Sequence, residues 1–176
     1  MTTEGRNGIT CVVVMGPSGV GKTTTAEGLA ARLGWAFAEA DRFHPQANID
    51  KMTAGIPLDD DDRAPWLALI RDWISAKAQA GESTVVTCSA LKRRYRDVLR
   101  GADARVRFLE LMGEVDTIQG RMASRKGHYM PPSLLASQFA DLEPLDDDED
   151  GVIVDVSATP EEVISAGVAK LGLARS

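Results

Sequence analysis

Cysteine, histidine and aromatic residues are all scarce in this chain of 176 residues, which has two cysteines, two histidines and only 5% Phe, Trp and Tyr. Cys11 and Cys88 each lie inside an apolar, strand-like run with no second Cys or His at metal-ligand spacing. That excludes a structural zinc site, and both read as reduced core thiols. No stretch approaches the roughly 18 apolar residues of a membrane span, and the opening "MTTEGRNG" has no apolar signal region. The expectation is a cytoplasmic protein with no membrane partner. Positive charge is also short: 20 Lys and Arg stand against 26 Asp and Glu, a formal charge of −6. A protein that coats nucleic acid would be basic, so no nucleic-acid partner is expected and any anion site must be local. Neither an internal repeat nor a long linker is visible, and the length suits one core, so residues 1–176 are expected to form one domain.

What is present is an alternation. Short apolar or β-branched runs at 9–15, 36–40, 84–88, 106–111 and 152–156 alternate with helical patterns. This predicts βαβ units, hence an α/β fold with a mostly parallel sheet and helices on both faces. Ala26, Leu29, Ala30 and Leu33 make one apolar stripe, and Trp66, Leu69, Ile70, Trp73 and Ile74 another. Pro65 suits the first turn of the second of these helices. Thr159 and Glu162 are spaced as a capping box with Pro160 at the first helical position, which starts the last helix. The acidic run "LDDDED" at 145–150 reads as a solvated loop.

The strongest motif is "GPSGVGKT", residues 16 to 23, which matches GxxxxGK[ST] between a predicted strand and a predicted helix. Gly16, Gly19 and Gly21 let the backbone turn its N–H groups inward, with Ser18 and Val20 between them. The helix starting near Lys22 adds its positive dipole end. Such a cradle holds a nucleoside triphosphate: Lys22 reaches the β- and γ-phosphates, the Thr23 hydroxyl binds Mg²⁺, and Thr24 extends the nucleotide-contacting segment.

The cradle does not name the phosphate acceptor. In parallel α/β sheets ligands gather beyond the carboxyl ends of the strands, and those positions are polar here. Asp41, in "DRFHP", is the candidate catalytic base, with a place in the Mg²⁺ shell or a helix cap as alternatives. His44 is either a site contact or a satisfied loop residue. Arg63 sits at a predicted helix N-terminus, unfavourable for a cation unless the neighbouring aspartates or a substrate carboxylate answer it. Lys92, Arg93, Arg94 and Arg96 crowd the next helix start. Some belong to a solvated face, and a small anionic substrate fits the rest better than a polynucleotide, since only Tyr95 is an aromatic neighbour. Arg121 and Arg125 share a helix face before a Gly/Pro-rich segment, the pattern of a mobile lid or simply of cations at a helix C-terminus.

Together "GPSGVGKTT", "DRFHPQANIDKMTAGIPLDDDDRAPWL", "CSALKRRYRDVLR", "RMASRKGHYMPPSLLASQFADLE" and "VIVDV" make the chain resemble the small P-loop gluconate kinases nearly end to end. The resemblance implies ATP- and Mg²⁺-dependent transfer of phosphate to the 6-hydroxyl of D-gluconate, giving 6-phosphogluconate. It implies a three-layer fold similar to nucleoside monophosphate kinases, a five-stranded parallel sheet in order 2-3-1-4-5, a lid at about 121–137 and a homodimer. It places Gly19, Gly21, Lys22 and Thr23 in the nucleotide cradle, and Asp41, His44, Arg63 and Lys92 around the sugar acid. Arg121 and Arg125 fall in the lid against nucleotide phosphates or adenine, Arg125 with a catalytic role. A shikimate kinase of the same architecture and a nucleotide-dependent binding module are the competing readings.

Overall fold

The computed structural model describes residues 9–16, 21–56, 58–88, 92–112, 143–156 and 159–173. Five parallel strands form one sheet in the order β2-β3-β1-β4-β5: β1 (Thr10–Met15), β2 (Ala36–Glu39), β3 (Thr84–Cys88), β4 (Arg105–Met112) and β5 (Gly151–Asp155). The expected strand order is therefore observed. Strand β1 lies at the centre, with Met15 level with Cys88 on one side and Glu110 on the other.

The period-two alternation of the strands sorts two cores. Cys11, Val13 and Met15 of β1 face α3 (Asp60–Gln79) and α4 (Arg93–Arg100), meeting Trp66, Ile70, Tyr95 and Leu99. Val12 and Val14 face α1 (Lys22–Leu33) and α5 (Pro160–Leu171), meeting Leu29, Leu33, Val163 and Ile164. Three layers result, with every residue of β3 buried because both of its faces are covered. Cys11 and Cys88 are buried and not joined in a disulfide, as their apolar runs predict, and burial pushes the Cys11 thiol up to about 12. No helix among the described residues is long and apolar enough to cross a membrane.

Local signals explain where the helices start and stop. Gly21, in a left-handed conformation at φ 95°, turns the chain into α1, and Gly34 at φ 72° ends it with a backbone N–H to Ala30. Thr159 and Glu162 form the expected capping box, with Pro160 in the first turn of α5. Two expectations need correction. Helix α3 begins at Asp60 under a capping box between Asp59 and Asp62, so Pro65 lies a full turn inside it rather than in the first turn. The aspartates outcompete the proline as a start signal because they satisfy orphan N–H groups. The buried stripe of α3 is Trp66, Leu67, Ile70 and Ile74, while Leu69 is exposed. At 100° per residue Leu67 lies on the same side as Trp66, Ile70 and Ile74, whereas Leu69 falls on the far flank of the stripe.

The acidic run is not merely a solvated loop. Helix α4 clamps it: Arg93 bonds Asp146 and Asp148, and Arg96, wholly buried, makes a bidentate pair with buried Glu149 at 2.6 and 2.7 Å. Arg100 reaches the same carboxylate at 3.0 Å, and Arg105 and Arg107 hold Asp150. Burial alone would raise the Glu149 carboxyl, but the bonds from Arg96, the Asp146 N–H and Arg100 outweigh it and hold the pKa at about 2. The lid expected at about 121–137 lies outside the described residues.

Candidate active site

The carboxyl ends of β1, β2 and β3 are adjacent in the sheet, and the polar residues that follow them assemble here. At the end of β1, Gly16 adopts φ 144°, a conformation that favours glycine. Its carbonyl accepts a 2.8 Å hydrogen bond from Lys22 Nζ, so the lysine folds back to the end of β1. Gly21 has no neighbour within 4 Å of where a Cβ would stand. Its φ of 95°, rather than crowding, selects glycine there. Thr24 is exposed. Ser18, Gly19 and Val20 lie outside the described residues, as do Arg121 and Arg125.

Thr23 donates its hydroxyl hydrogen bond to Glu39 at the end of β2, across the top of the sheet. The pair is a hydroxyl and a carboxylate, both hard oxygen donors of the type Mg²⁺ prefers. Among the described residues no cluster of three or more His, Cys, Asp or Glu stands ready for a metal. Sequence reasoning passed over Glu39, although its place at the end of a strand beside Asp41 was the available signal.

After β2 the chain enters a 3₁₀ turn (Ala40–Phe43) that carries Asp41, two-thirds exposed, toward solvent. His44 closes the turn, with its side chain almost fully buried and stacked on Trp66 at 4.1 Å between ring centroids. Trp66 is itself fixed by an Nε1–H bond to the Ala40 carbonyl at 2.7 Å. His44 Nε2 faces Asp41 Oδ1 at 4.0 Å, and Nδ1 lies 3.2 Å from the Asn48 amide nitrogen in α2 (Gln46–Thr53). Burial, aided by the Arg63 charge, lowers the His44 pKa to about 4, so the ring is neutral at ordinary pH.

A second cluster joins the starts of α3 and α4. Arg63 donates to the Tyr95 hydroxyl at 2.8 Å and stacks over its ring, and the Tyr95 hydroxyl donates to Asp60. Arg94 also bonds Asp60, and Lys92 pairs with it at 3.7 Å while lying over the Tyr95 ring. Tyr95 loses access to water and donates to Asp60, and both effects raise its pKa and keep the phenol protonated. The Tyr95 bond, with Lys92, Arg94 and Arg63 nearby, lowers the pKa of Asp60. Three cations thus face this one carboxylate. The structure brings Arg63 and Lys92 together at Tyr95 and Asp60, and separates Arg93 and Arg96, which serve the acidic clamp instead. Tyr95 and Asp60 carry no motif of their own and were not foreseen as site residues.

These features have counterparts in known proteins. A family model described as an AAA domain matches residues 11–145. A gluconokinase of Gluconobacter oxydans is 51% identical over 153 residues, 87% of this chain and 86% of its own length. The crystal structure of a gluconokinase from Sinorhizobium meliloti matches with a TM-score of 0.84 at 42% identity, covering 94% of this chain and 93% of that one. An unliganded sugar kinase from Janibacter matches with a TM-score of 0.90 at 52% identity, over 94% and 96% of the two chains. With its cradle, its parallel sheet and this end-to-end similarity, the chain belongs to the AAA-domain group of P-loop proteins and, within it, to the gluconokinase family.

Proposed function

We propose that the protein is a gluconokinase that transfers the γ-phosphoryl group of ATP to the 6-hydroxyl of D-gluconate, releasing 6-phospho-D-gluconate and ADP. The observation that carries this reading is 51% identity to a gluconokinase over 87% of the chain. The cradle from Gly16 to Thr23 lies inside the matched family segment.

In this mechanism the N–H groups of Gly16 to Gly21, with Ser18, Gly19 and Val20 at the centre, hold the nucleotide phosphates. Lys22 leaves the Gly16 carbonyl for the β- and γ-oxygens, exchanging one hydrogen bond for charge-assisted ones. Thr23 and Glu39 supply the protein oxygens for Mg²⁺, which when bound neutralises charge on the phosphates. Asp41 orients the acceptor hydroxyl and takes its proton as the phosphoryl group departs. The positive excess of Arg63, Lys92 and Arg94 over Asp60 provides for the gluconate carboxylate, while His44 acts on the substrate side through its place beside Asp41. Arg121 and Arg125, on a lid at about 121–137, cover the nucleotide, Arg125 stabilising the transferring group. One such kinase domain, working as a cytoplasmic homodimer, is the full proposal.

The direct test is ADP release from ATP and Mg²⁺ with gluconate, shikimate and neutral sugars offered separately. Release with gluconate alone is expected. Release with shikimate would reassign the acceptor, and release that ignores the acceptor would favour a nucleotide-dependent binding module. In the same assay Asp41→Asn should lower kcat by about 100-fold or more, and near wild-type turnover would remove Asp41 as the base.

A further inference from the structure

The hydrogen bonding of Asn48 fixes something about His44 that no motif shows. Asn48 is buried, 3% exposed, and its side-chain nitrogen lies 2.8 Å from the Asp62 carbonyl oxygen and 3.2 Å from His44 Nδ1. The Asp62 carbonyl can only accept, so the Asn48 atom facing it must be the NH₂ group and not the amide oxygen. One of the two N–H bonds goes to Asp62, and the other points at His44 Nδ1. That ring nitrogen must then accept, and a neutral imidazole that accepts at Nδ1 carries its proton on Nε2. Nε2 is the atom that faces Asp41 Oδ1 at 4.0 Å.

The rest of the environment holds this arrangement in place. Trp66 fixes the ring plane by stacking, which leaves a 180° flip about the Cβ–Cγ bond, and the Asn48 bond to Nδ1 selects one of the two flip states. Asn48 is anchored in turn, because α2 is stapled to the start of α3. Lys51 pairs with the Asp62 carboxylate at 2.9 Å, and that carboxylate also accepts from the Asp59 N–H as part of the capping box. The charged groups around the ring are Arg63, which disfavours an added proton, and Asp41.

We propose that Asn48 is a positioning residue for phosphoryl transfer: it locks His44 as the Nε2–H tautomer, so that a neutral N–H rather than a lone pair or an imidazolium is presented to Asp41. At 4.0 Å this N–H lies beyond hydrogen-bond distance of Oδ1 and acts on Asp41 as a neutral dipole, which favours the carboxylate without a full positive charge that would lower its basicity. It also removes His44 from contention as the base, since its Nε2 holds the proton and its Nδ1 is engaged by Asn48. This inference rests on the reading of Asp41 as the base.

The test begins with the wild-type chain. Long-range ¹H–¹⁵N correlation spectra of the ¹⁵N-labelled protein at neutral pH report each imidazole nitrogen as pyrrole-like or pyridine-like. With only His44 and His128 in the sequence, His128→Gln assigns the signals. His44 is expected to show a pyridine-like Nδ1 and a pyrrole-like Nε2; the reverse pattern, or an imidazolium, overturns the proposal. Asn48→Asp keeps the shape but replaces the donor with an acceptor. It should move the pyrrole-like signal to Nδ1, or protonate both nitrogens, and lower kcat about 10-fold or more with a much smaller change in the KM for gluconate. An altered tautomer with unchanged kcat would overturn the positioning role. The wild-type spectrum decides the tautomer even if the variant does not fold. Failure of the kinase reading shows separately, as absent ADP release from the wild type with gluconate.

Discussion

Lys22 Nζ bonds the Gly16 carbonyl, which brings the lysine back to the carboxyl end of β1. Lys22→Ala should therefore leave the fold intact while lowering ADP release by about 100-fold or more, because positioning and charge stabilisation supply most of phosphoryl-transfer catalysis. Circular dichroism beside the assay checks both halves, and a folded variant with normal turnover would mean that the loop does not work as a cradle. Individual residues were legible in the sequence where they sit in a fixed-spacing motif, as Lys22 and Thr23 do, or directly follow a strand, as Asp41 does. Asn48 and Tyr95 were not, because their importance lies in what they touch. Asn48 gains its role from a carbonyl 14 residues away, and Tyr95 from Asp60 and Arg63 on another helix. Spacing along the chain carries no trace of such contacts.

Elements were legible in proportion to how far their own residues determine them. The five strands and the capping of α5 follow from local pattern and appear where expected. Helix α4 is the contrary case: its four arginines look alike in sequence, yet Arg96 is fully buried while Arg94 is largely exposed. Only the partner, Glu149, distinguishes them. Glu149→Ala should destabilise the protein by about 3–5 kcal/mol, since it removes the buried carboxylate that pairs bidentately with Arg96 and also accepts from Arg100. Urea denaturation of the variant against wild type measures this, and a loss below about 1 kcal/mol would show that the pair is not buried as described.

For the whole molecule, acid is the informative stress. The His44 pKa is about 4 in the folded state against an ordinary 6.5, so between those values the unfolded chain binds more protons. The stability this contributes is complete above about pH 6.5 and lost as pH falls toward 4. Glu149, at about 2 against 4.5, contributes stability that is complete above about pH 4.5 and lost toward 2. Glu110, buried in β4 with one oxygen bonded to the Leu145 N–H, acts in the opposite sense. Burial raises its pKa, and acidification relieves the cost of its charge. Thermal midpoints should thus begin to fall below pH 6.5, and His44→Gln should delay the onset to nearer pH 4.5. A wild-type midpoint flat from pH 6.5 to 4 would contradict a neutral, buried His44. The sheet order belongs to this scale too: periodicity reveals five strands but not their neighbours, and the order was available only through likeness to a known family.

Helix α4 also sets a limit on how the molecule can open. It is eight residues long, carries four arginines, and relies on Glu149, Asp146 and Asp148 to neutralise them. So short and so charged a helix has little reason to persist once the acidic segment detaches. The two should behave as one cooperative unit in native-state hydrogen exchange, with the amides of Leu99 and Arg100 becoming labile together with those of Leu145 and Glu149. Because Lys92 and Tyr95 belong to the same stretch, each such opening also dismantles the cluster around Asp60 that is proposed to receive the acceptor, so exchange in a loop far along the chain reports how often that cluster is momentarily absent.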